Sequence, residues 1–472
     1  MTLDERLVKV VPSPRQLAHQ ELEFYAFIHF TVNAFTDREW GDGTEDPAIF
    51  NPQKLDAEQW ARAVQSAGMR GIILTCKHHD GFCLWPSKFT EHSVASSPFR
   101  GGHGDIVREV SDACRKYGLK FGVYLSPWDR NCPLYGQGKA YDDYFVAQLT
   151  ELLTNYGEIF SVWFDGACGE GPNGKRQAYD WDRYDRVIRD LQPGACISVC
   201  GPDVRWCGNE AGYTRPAEWS VVPQRMWNTE KIAAKSQQSD DASFRLRRIS
   251  ASDNDLGSRE ILKDETDFIW YAAEVNTSIR PGWFWHASEN DRVRPLEELL
   301  RIYYNSVGGN ATFLLNIPPT DEGLFHENDV ERLREIGEAL RKAFAVNLTA
   351  DASLTADTSE AGCAIDGARE DGYDAFWRAE AGKNTAEITA RWEKPVSVGN
   401  LVMKENITLS QRIEAFAVDV LKDGEFREVF RGTVVGYKRI VRLGGIKTNA
   451  VRVRILDSRT EPTLAFFAVY EG

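Results

Sequence analysis

The chain has 472 residues, too many for one ordinary domain and enough for a barrel followed by a smaller module. Apolar residues make up 42% and charged residues 27%, the composition of a soluble globular protein. With 56 basic and 70 acidic residues the net charge is −14, which argues against nucleic acid and anionic membrane surfaces as partners, since both call for a basic footprint.

Short apolar runs alternate with amphipathic helical stretches through residues 20–345. Phe24–Phe30 is predicted as a strand, Ala57–Met69 as a helix, and Gly71–Cys76 as the next strand. Asp105–Tyr117 is a helix, Lys120–Pro127 a strand, Tyr141–Tyr156 a helix, Phe160–Gly166 a strand, Asp182–Leu191 a helix and Cys196–Gly201 a strand. Apolar runs of this kind, separated by helices, imply a parallel sheet buried on both faces. The rhythm then loosens. Glu218–Pro223 reads as a short strand, and residues 229–267 form a polar excursion of the kind that builds the mouth of a site. Order returns with Phe268–Arg280, the helix Pro295–Ser306, the strand Ala311–Ile317 and the charged helix Asp329–Ala345.

From residue 346 helical periodicity disappears. Thr385–Trp392, Val396–Lys404, Ile413–Leu421, Ala450–Leu456 and Thr463–Tyr470 read as antiparallel strands, with Trp377 and Trp392 in their core. The expected architecture is α/β: a (β/α)8-like barrel over residues 1–345, followed by an antiparallel β-sandwich over 346–472. No run of 18 apolar residues and no apolar segment near the N-terminus is present. Nine cysteines, without a CxxC pair, read as reduced thiols, and a cytoplasmic location is the expectation, or a periplasmic or secreted one if a signal has been removed.

In a barrel, chemistry sits at the C-terminal ends of the strands. Those ends carry His29, then His78 and His79, then Tyr124, then Asp165 in SVWFDGA. A buried carboxylate needs partners or a task. Adjacent histidines without HExxH or HxH spacing do not make a metal site, so no metal or cofactor is expected. Imidazoles do suit sugar hydroxyls, because one ring both donates and accepts. A retaining glycosidase needs a second carboxyl, and spacing alone leaves Glu210 and Glu218 as alternatives.

The segments FIHFTVNAFTDREWGDG (27–43), TCKHHDGFCLWPS (75–87), GVYLSPWDRN (122–131), VWFDGA (162–167), RWCGNEAG (205–212), EWSVVP (218–223), SIRPGWFWH (278–286) and LLNIPP (314–319) resemble α-L-fucosidases of glycoside hydrolase family 29. GNEAG and EWSV are similar to the subgroup acting on α-1,3/4-linked fucose of branched glycans. The resemblance implies a retaining, exo-acting fucosidase with Asp165 as nucleophile and Glu210 as acid/base. It also implies a fucose pocket lined by His29, Glu39, Trp40, His78, His79, Tyr124 and Trp283, and fucosylated oligosaccharides or glycoconjugates as partners. An inactive, lectin-like fucose binder is the alternative.

Overall fold

The computed structural model describes residues 1–248 and 254–472. The N-terminal part holds ten strands: β1 (Phe24–Ile28), β2 (Gly71–Lys77), β3 (Lys120–Leu125), β4 (Ser161–Phe164), β5 (Cys196–Val199), β6 (Val204–Trp206), β7 (Val221–Pro223), β8 (Phe268–Trp270), β9 (Ala272–Ser278) and β10 (Ala311–Asn316). Eight of them close into a barrel in the order β1-β10-β9-β6-β5-β4-β3-β2, with every neighbouring pair parallel. Apart from exposed Lys120 and half-buried Trp206, every residue of these strands is buried, as a layer covered on both faces requires. Outer helices start where an aspartate accepts the orphan N–H three residues on: Asp56 before Ala57–Ser66, Asp105 before Ile106–Lys116 and Asp180 before Trp181–Leu191.

The short strand expected at 218–223 is present as Val221–Pro223, and one barrel strand lies outside the expected elements. The sixth barrel strand is Val204–Trp206, whereas Val221–Pro223 pairs antiparallel with Phe268–Trp270 in a separate ribbon outside the barrel. Arg205 lies in the middle of β6 and turns outward to Glu218, which breaks the apolar run that marks a buried strand. The stretch 268–280 accordingly divides between β8 and β9.

The C-terminal part is an antiparallel sheet: β11 (Ser353–Ala356), β12 (Trp377–Arg378), β13 (Ala386–Lys404), β14 (Ile413–Lys422), β15 (Glu425–Gly432), β16 (Arg439–Ser458), β17 (Thr463–Leu464) and β18 (Phe466–Glu471). Six strands form one sheet in the order β11-β13-β16-β14-β15 with β18 on β13, and β12 pairs with β17 beside it. The two strands expected at 385–392 and 396–404 are one strand whose register shifts between Arg391 and Val396. Pro395 has no N–H for the ladder, and a bulge is where a sheet accepts it. Trp377 and Trp392 are buried in this core. No disulfide joins the described residues; all nine cysteines are free, and all but Cys168 and Cys363 are buried.

Barrel and sheet are joined by buried polar contacts. Glu23, just before β1, meets Lys438 at 2.7 Å, the Tyr437 hydroxyl at 3.0 Å and Lys404 at 3.7 Å. Burial pushes the Glu23 carboxyl up, but Lys438 and Lys404 outweigh it and bring it down to about 2. Its unfolded value is near ~4.3, so this carboxylate stabilises the fold above about pH 5 and loses that contribution as pH falls towards 2. We expect Glu23→Gln to cost about 3 kcal/mol near neutrality in denaturant unfolding, because Lys438 is left buried without its anion. The gap between variant and wild type should close as pH falls; a gap that is constant with pH refutes this account.

Candidate active site

The strand pleat puts every second side chain inside the barrel. On β1 this sends Tyr25 and Phe27 inward and continues to His29 at the rim; on β4 it sends Trp163 inward with Asp165 just beyond the strand. On β9 it sends Glu274, Asn276 and Ser278 inward. Of these, Phe27, His29, Trp163, Asp165 and Asn276 border one cavity of about 580 Å³ at the C-terminal rim, its open mouth included. Eight of the nine expected site residues line it: Asp165, Glu210, His29, Glu39, Trp40, His78, His79 and Trp283. Tyr124 lies behind the wall, fully buried, and donates its hydroxyl to Asp165 Oδ2 at 3.0 Å.

Among the described residues no Arg or Lys pairs with Asp165. Its Oδ1 accepts the Ala167 N–H at 2.8 Å, and His79 Nε2 stands 3.7 Å from Oδ2. Burial raises its proton affinity, while the Ala167, Tyr124 and Gly166 donors pull the other way; the net shift is upward. Glu210 accepts the Trp283 indole N–H at 2.9 Å. Burial pushes its carboxyl up to about 7, helped by the charge of Asp165 and opposed by the Trp283 donor.

The histidines are neutral. Burial lowers His29 to about 4, His79 to about 3 and His78 well below its ordinary value. Ser126 Oγ gives its hydrogen to the Trp128 carbonyl at 2.6 Å, so at its 2.7 Å contact with His79 Nδ1 it accepts. His79 therefore carries its proton on Nδ1 and turns an Nε2 lone pair towards Asp165. His29 Nδ1 likewise donates to Asn316 Oδ1 at 2.8 Å, and Asn316 Nδ2 donates onward to Ser278 Oγ and the Trp283 carbonyl. His78 Nδ1 is buried with no hydrogen-bond partner.

Glu39 lines the cavity, yet four donors already occupy its lone pairs. Oε2 accepts Arg245 Nη1 at 3.0 Å and the Trp283 N–H at 2.9 Å; Oε1 accepts His286 Nε2 at 2.8 Å and the Phe284 N–H at 3.2 Å. It thus anchors the loop bearing Trp283 and ties down the excursion bearing Arg245. Glu39 and Asp37 in turn raise His286 to about 9.

Glu218, the rival of Glu210, is absent from the cavity wall. It is buried between Arg205 at 3.0 Å and Arg215 at 3.3 Å and also accepts the Arg215 N–H. Sequence reasoning also missed several wall residues: Phe27, Trp163, Val199, Trp206, Ser236, Gln237 and Asn276. Trp163 and Phe27 were open to discovery, since each lies two residues before a recognised site residue on the same pleat face. Trp206 was hidden with β6. Val199 carries a left-handed φ of 68°, a strained conformation for a β-branched residue, where the chain turns off β5 beside the cavity. Ser236 and Gln237 come from the excursion whose role as part of the mouth was anticipated; of its basic cluster, Arg245 reaches Glu39.

Residues 18–343 match the family model for alpha-L-fucosidase. The chain belongs to this family, glycoside hydrolase family 29, and is a hydrolase of glycosidic bonds. It is 39% identical to alpha-L-fucosidase 1 of Arabidopsis thaliana over 472 aligned residues, covering 98% of this chain and 87% of that one. A crystal structure from Bacteroides ovatus, provisionally of the same name, superposes with a TM-score of 0.86 at 44% identity, covering all of this chain and 76% of the other. A family 29 fucosidase of Ruminococcus gnavus in complex with fucose superposes with a TM-score of 0.83 at 28% identity, covering 98% and 95%.

The two glutamates should respond oppositely to neutralisation. Glu218→Gln leaves two buried guanidinium groups short of charge and should cost about 3–5 kcal/mol in denaturant unfolding. Glu210 keeps its proton to about pH 7 in the fold but loses it near ~4.3 when unfolded, so the stability of its protonated form is full below about pH 4 and lost as pH rises through 7. Glu210→Gln should therefore equal wild type at pH 4 and exceed it at pH 8. A Glu210→Gln variant less stable than wild type at pH 8 would contradict this assignment.

Proposed function

We propose that this cavity removes terminal α-1,3/1,4-linked L-fucose from branched, Lewis-type glycans by double displacement, with retention. The observation that carries the reading is that one cavity holds two carboxyls, Asp165 and Glu210, neither within hydrogen-bond distance of an Arg or Lys among the described residues. Asp165 attacks the anomeric carbon and forms a fucosyl-enzyme ester while the glycosidic C–O bond breaks. Glu210 gives its proton to the departing oxygen. It then takes a proton from the water that hydrolyses the ester, and fucose leaves. A proton held to about pH 7 suits Glu210 to the acid's role. The Tyr124 hydroxyl and Ala167 N–H hold the attacking carboxylate without neutralising it.

The exo reading is supported by Phe27 and Trp163, which line the cavity from inside the barrel and suit a terminal sugar. Imidazole Nε2 lone pairs accept sugar hydroxyls, and the aromatic walls suit the methyl group of fucose. The linkage preference rests on RWCGNEAG (205–212) and EWSVVP (218–223).

Asp165→Ala should abolish hydrolysis of an aryl α-L-fucoside. Glu210→Ala should keep activity on substrates with good leaving groups and be rescued in part by azide. Full activity of either variant on a glycan substrate removes its assigned role. The wild-type kcat/KM should be bell-shaped in pH, falling on the alkaline side near 7 as Glu210 loses its proton and on the acid side as Asp165 gains one; the two apparent values belong to the coupled pair. For linkage, a Lewis-type trisaccharide should be cleaved and its unbranched 2′-linked counterpart left intact. Equal hydrolysis of both discards the α-1,3/1,4 preference and leaves the fucosidase reading standing.

A further inference from the structure

Beneath the cavity, inside the barrel, lies a carboxyl that the chemistry above does not use. Glu274 on β9 is fully buried and does not reach the cavity wall. Its Oε1 accepts the Trp163 indole N–H at 2.7 Å, and its Oε2 accepts the Tyr25 hydroxyl. Tyr25 also contacts Thr312 Oγ1 at 2.9 Å and His19 Nε2 at 3.2 Å. Above this layer, Trp163 stacks on Tyr124 with ring centroids 5.4 Å apart and planes 23° apart, and Tyr124 donates to Asp165.

We propose that Glu274 is a positioning residue: by holding the Trp163 N–H from below it fixes the indole as the floor of the sugar cavity, and through the Trp163–Tyr124 stack it sets the hydroxyl that orients Asp165. An all-apolar barrel core would bury Trp163 as well but would leave its N–H unmet and its ring without that directional anchor. Burial with only neutral donors raises the Glu274 carboxyl to about 7, a cost that a residue serving packing alone has no reason to carry. The inference rests on the cavity being the fucose site.

The test compares Glu274→Leu, Glu274→Gln, Trp163→Phe and the Glu274→Leu/Trp163→Phe double variant in the full chain. Readouts are KM for an aryl α-L-fucoside and the dissociation constant of free L-fucose by calorimetry. Leucine removes the acceptor, and both constants should rise roughly fivefold or more, the value of one buried hydrogen bond. In the glutamine variant the amide oxygen accepts from Trp163 and the amide N–H donates to Tyr25, which can turn its hydrogen to Thr312; both constants should stay within about twofold of wild type. In the Trp163→Phe background the leucine change should add little, because the contact it breaks is already gone. A merely structural role predicts a lower active fraction with KM, fucose affinity and kcat per active enzyme unmoved, and that result overturns the proposal, as does independent, multiplicative behaviour of the two substitutions. If the leucine variant does not fold, Trp163→Phe alone decides: unchanged fucose affinity overturns the contact's role. A wild type that neither cleaves the fucoside nor binds fucose removes the proposed function and this role with it, whereas an active wild type with unmoved variants removes this role alone.

Discussion

A carboxylate taken out of water must be met by donors, and the kind of donor each one meets organises this molecule. Glu218, Glu39 and Glu23 meet guanidinium or ammonium groups: Arg205 and Arg215, Arg245, and Lys438 with Lys404. Each stands where two parts of the chain must be held together. Among the described residues Asp165, Glu210 and Glu274 accept hydrogen bonds only from hydroxyl, indole and backbone N–H donors; burial outweighs these and, at Glu210, the charge of Arg245, so their proton affinities rise. The first set braces the fold. The second holds protons more tightly than free carboxyls do, Glu210 and Glu274 up to about 7, and two of its three members share the cavity.

The braces converge on the site from outside. Glu218 holds Arg205 of β6, whose neighbour Trp206 forms part of the cavity wall and donates to Asn276. The stretch carrying Glu218 is gripped in turn from the C-terminal side. Gln411 Oε1 accepts the Ser220 N–H at 2.9 Å. Asn310, at a left-handed φ of 68°, donates to the Glu218 carbonyl and accepts the Tyr437 N–H at 2.7 Å. The short strand β6 has three registered pairs with β9 but a single one with β5, so it gains little from the ladder on its β5 side. The antiparallel sheet, through these contacts, supplies the rigidity that a longer strand would have had.

What was legible in the sequence follows the same division. Asp165 and His29 announce themselves because a strand buried on both faces is an apolar run, and a polar side chain at its end stands out. The pleat carries that signal backwards to Trp163 and Phe27, two residues earlier. β6 was illegible because its one charged residue is satisfied by a glutamate thirteen positions away in the chain, and no local pattern encodes that pairing. The choice between Glu210 and Glu218 failed from spacing for the same reason: both are loop glutamates, and only their tertiary partners tell them apart. β15 escaped notice because much of it is solvent-exposed and charged at Glu425, Arg427, Glu428 and Arg431, so it lacks the apolar alternation that marked its neighbours.

The neutral histidines complete the logic of the unpaired Asp165 carboxylate, the proposed nucleophile. An imidazolium at His79, 3.7 Å from Asp165, would hold that carboxylate as an ion pair and blunt its attack. Burial prevents this by pushing His79 to about 3, and the Ser126 relay fixes its proton on the far nitrogen. What remains are two acceptors, His79 Nε2 and Asp165 Oδ2, facing each other across a gap too long for a direct bond and without a proton between them. A hydroxyl of the substrate can satisfy one and turn away from the other, which water in an empty cavity does less selectively because it has no fixed orientation. The burial that raises the carboxyls thus also strips the histidines of charge, and one desolvated rim yields both an unpaired carboxylate at Asp165 and acceptors suited to hydroxyl recognition.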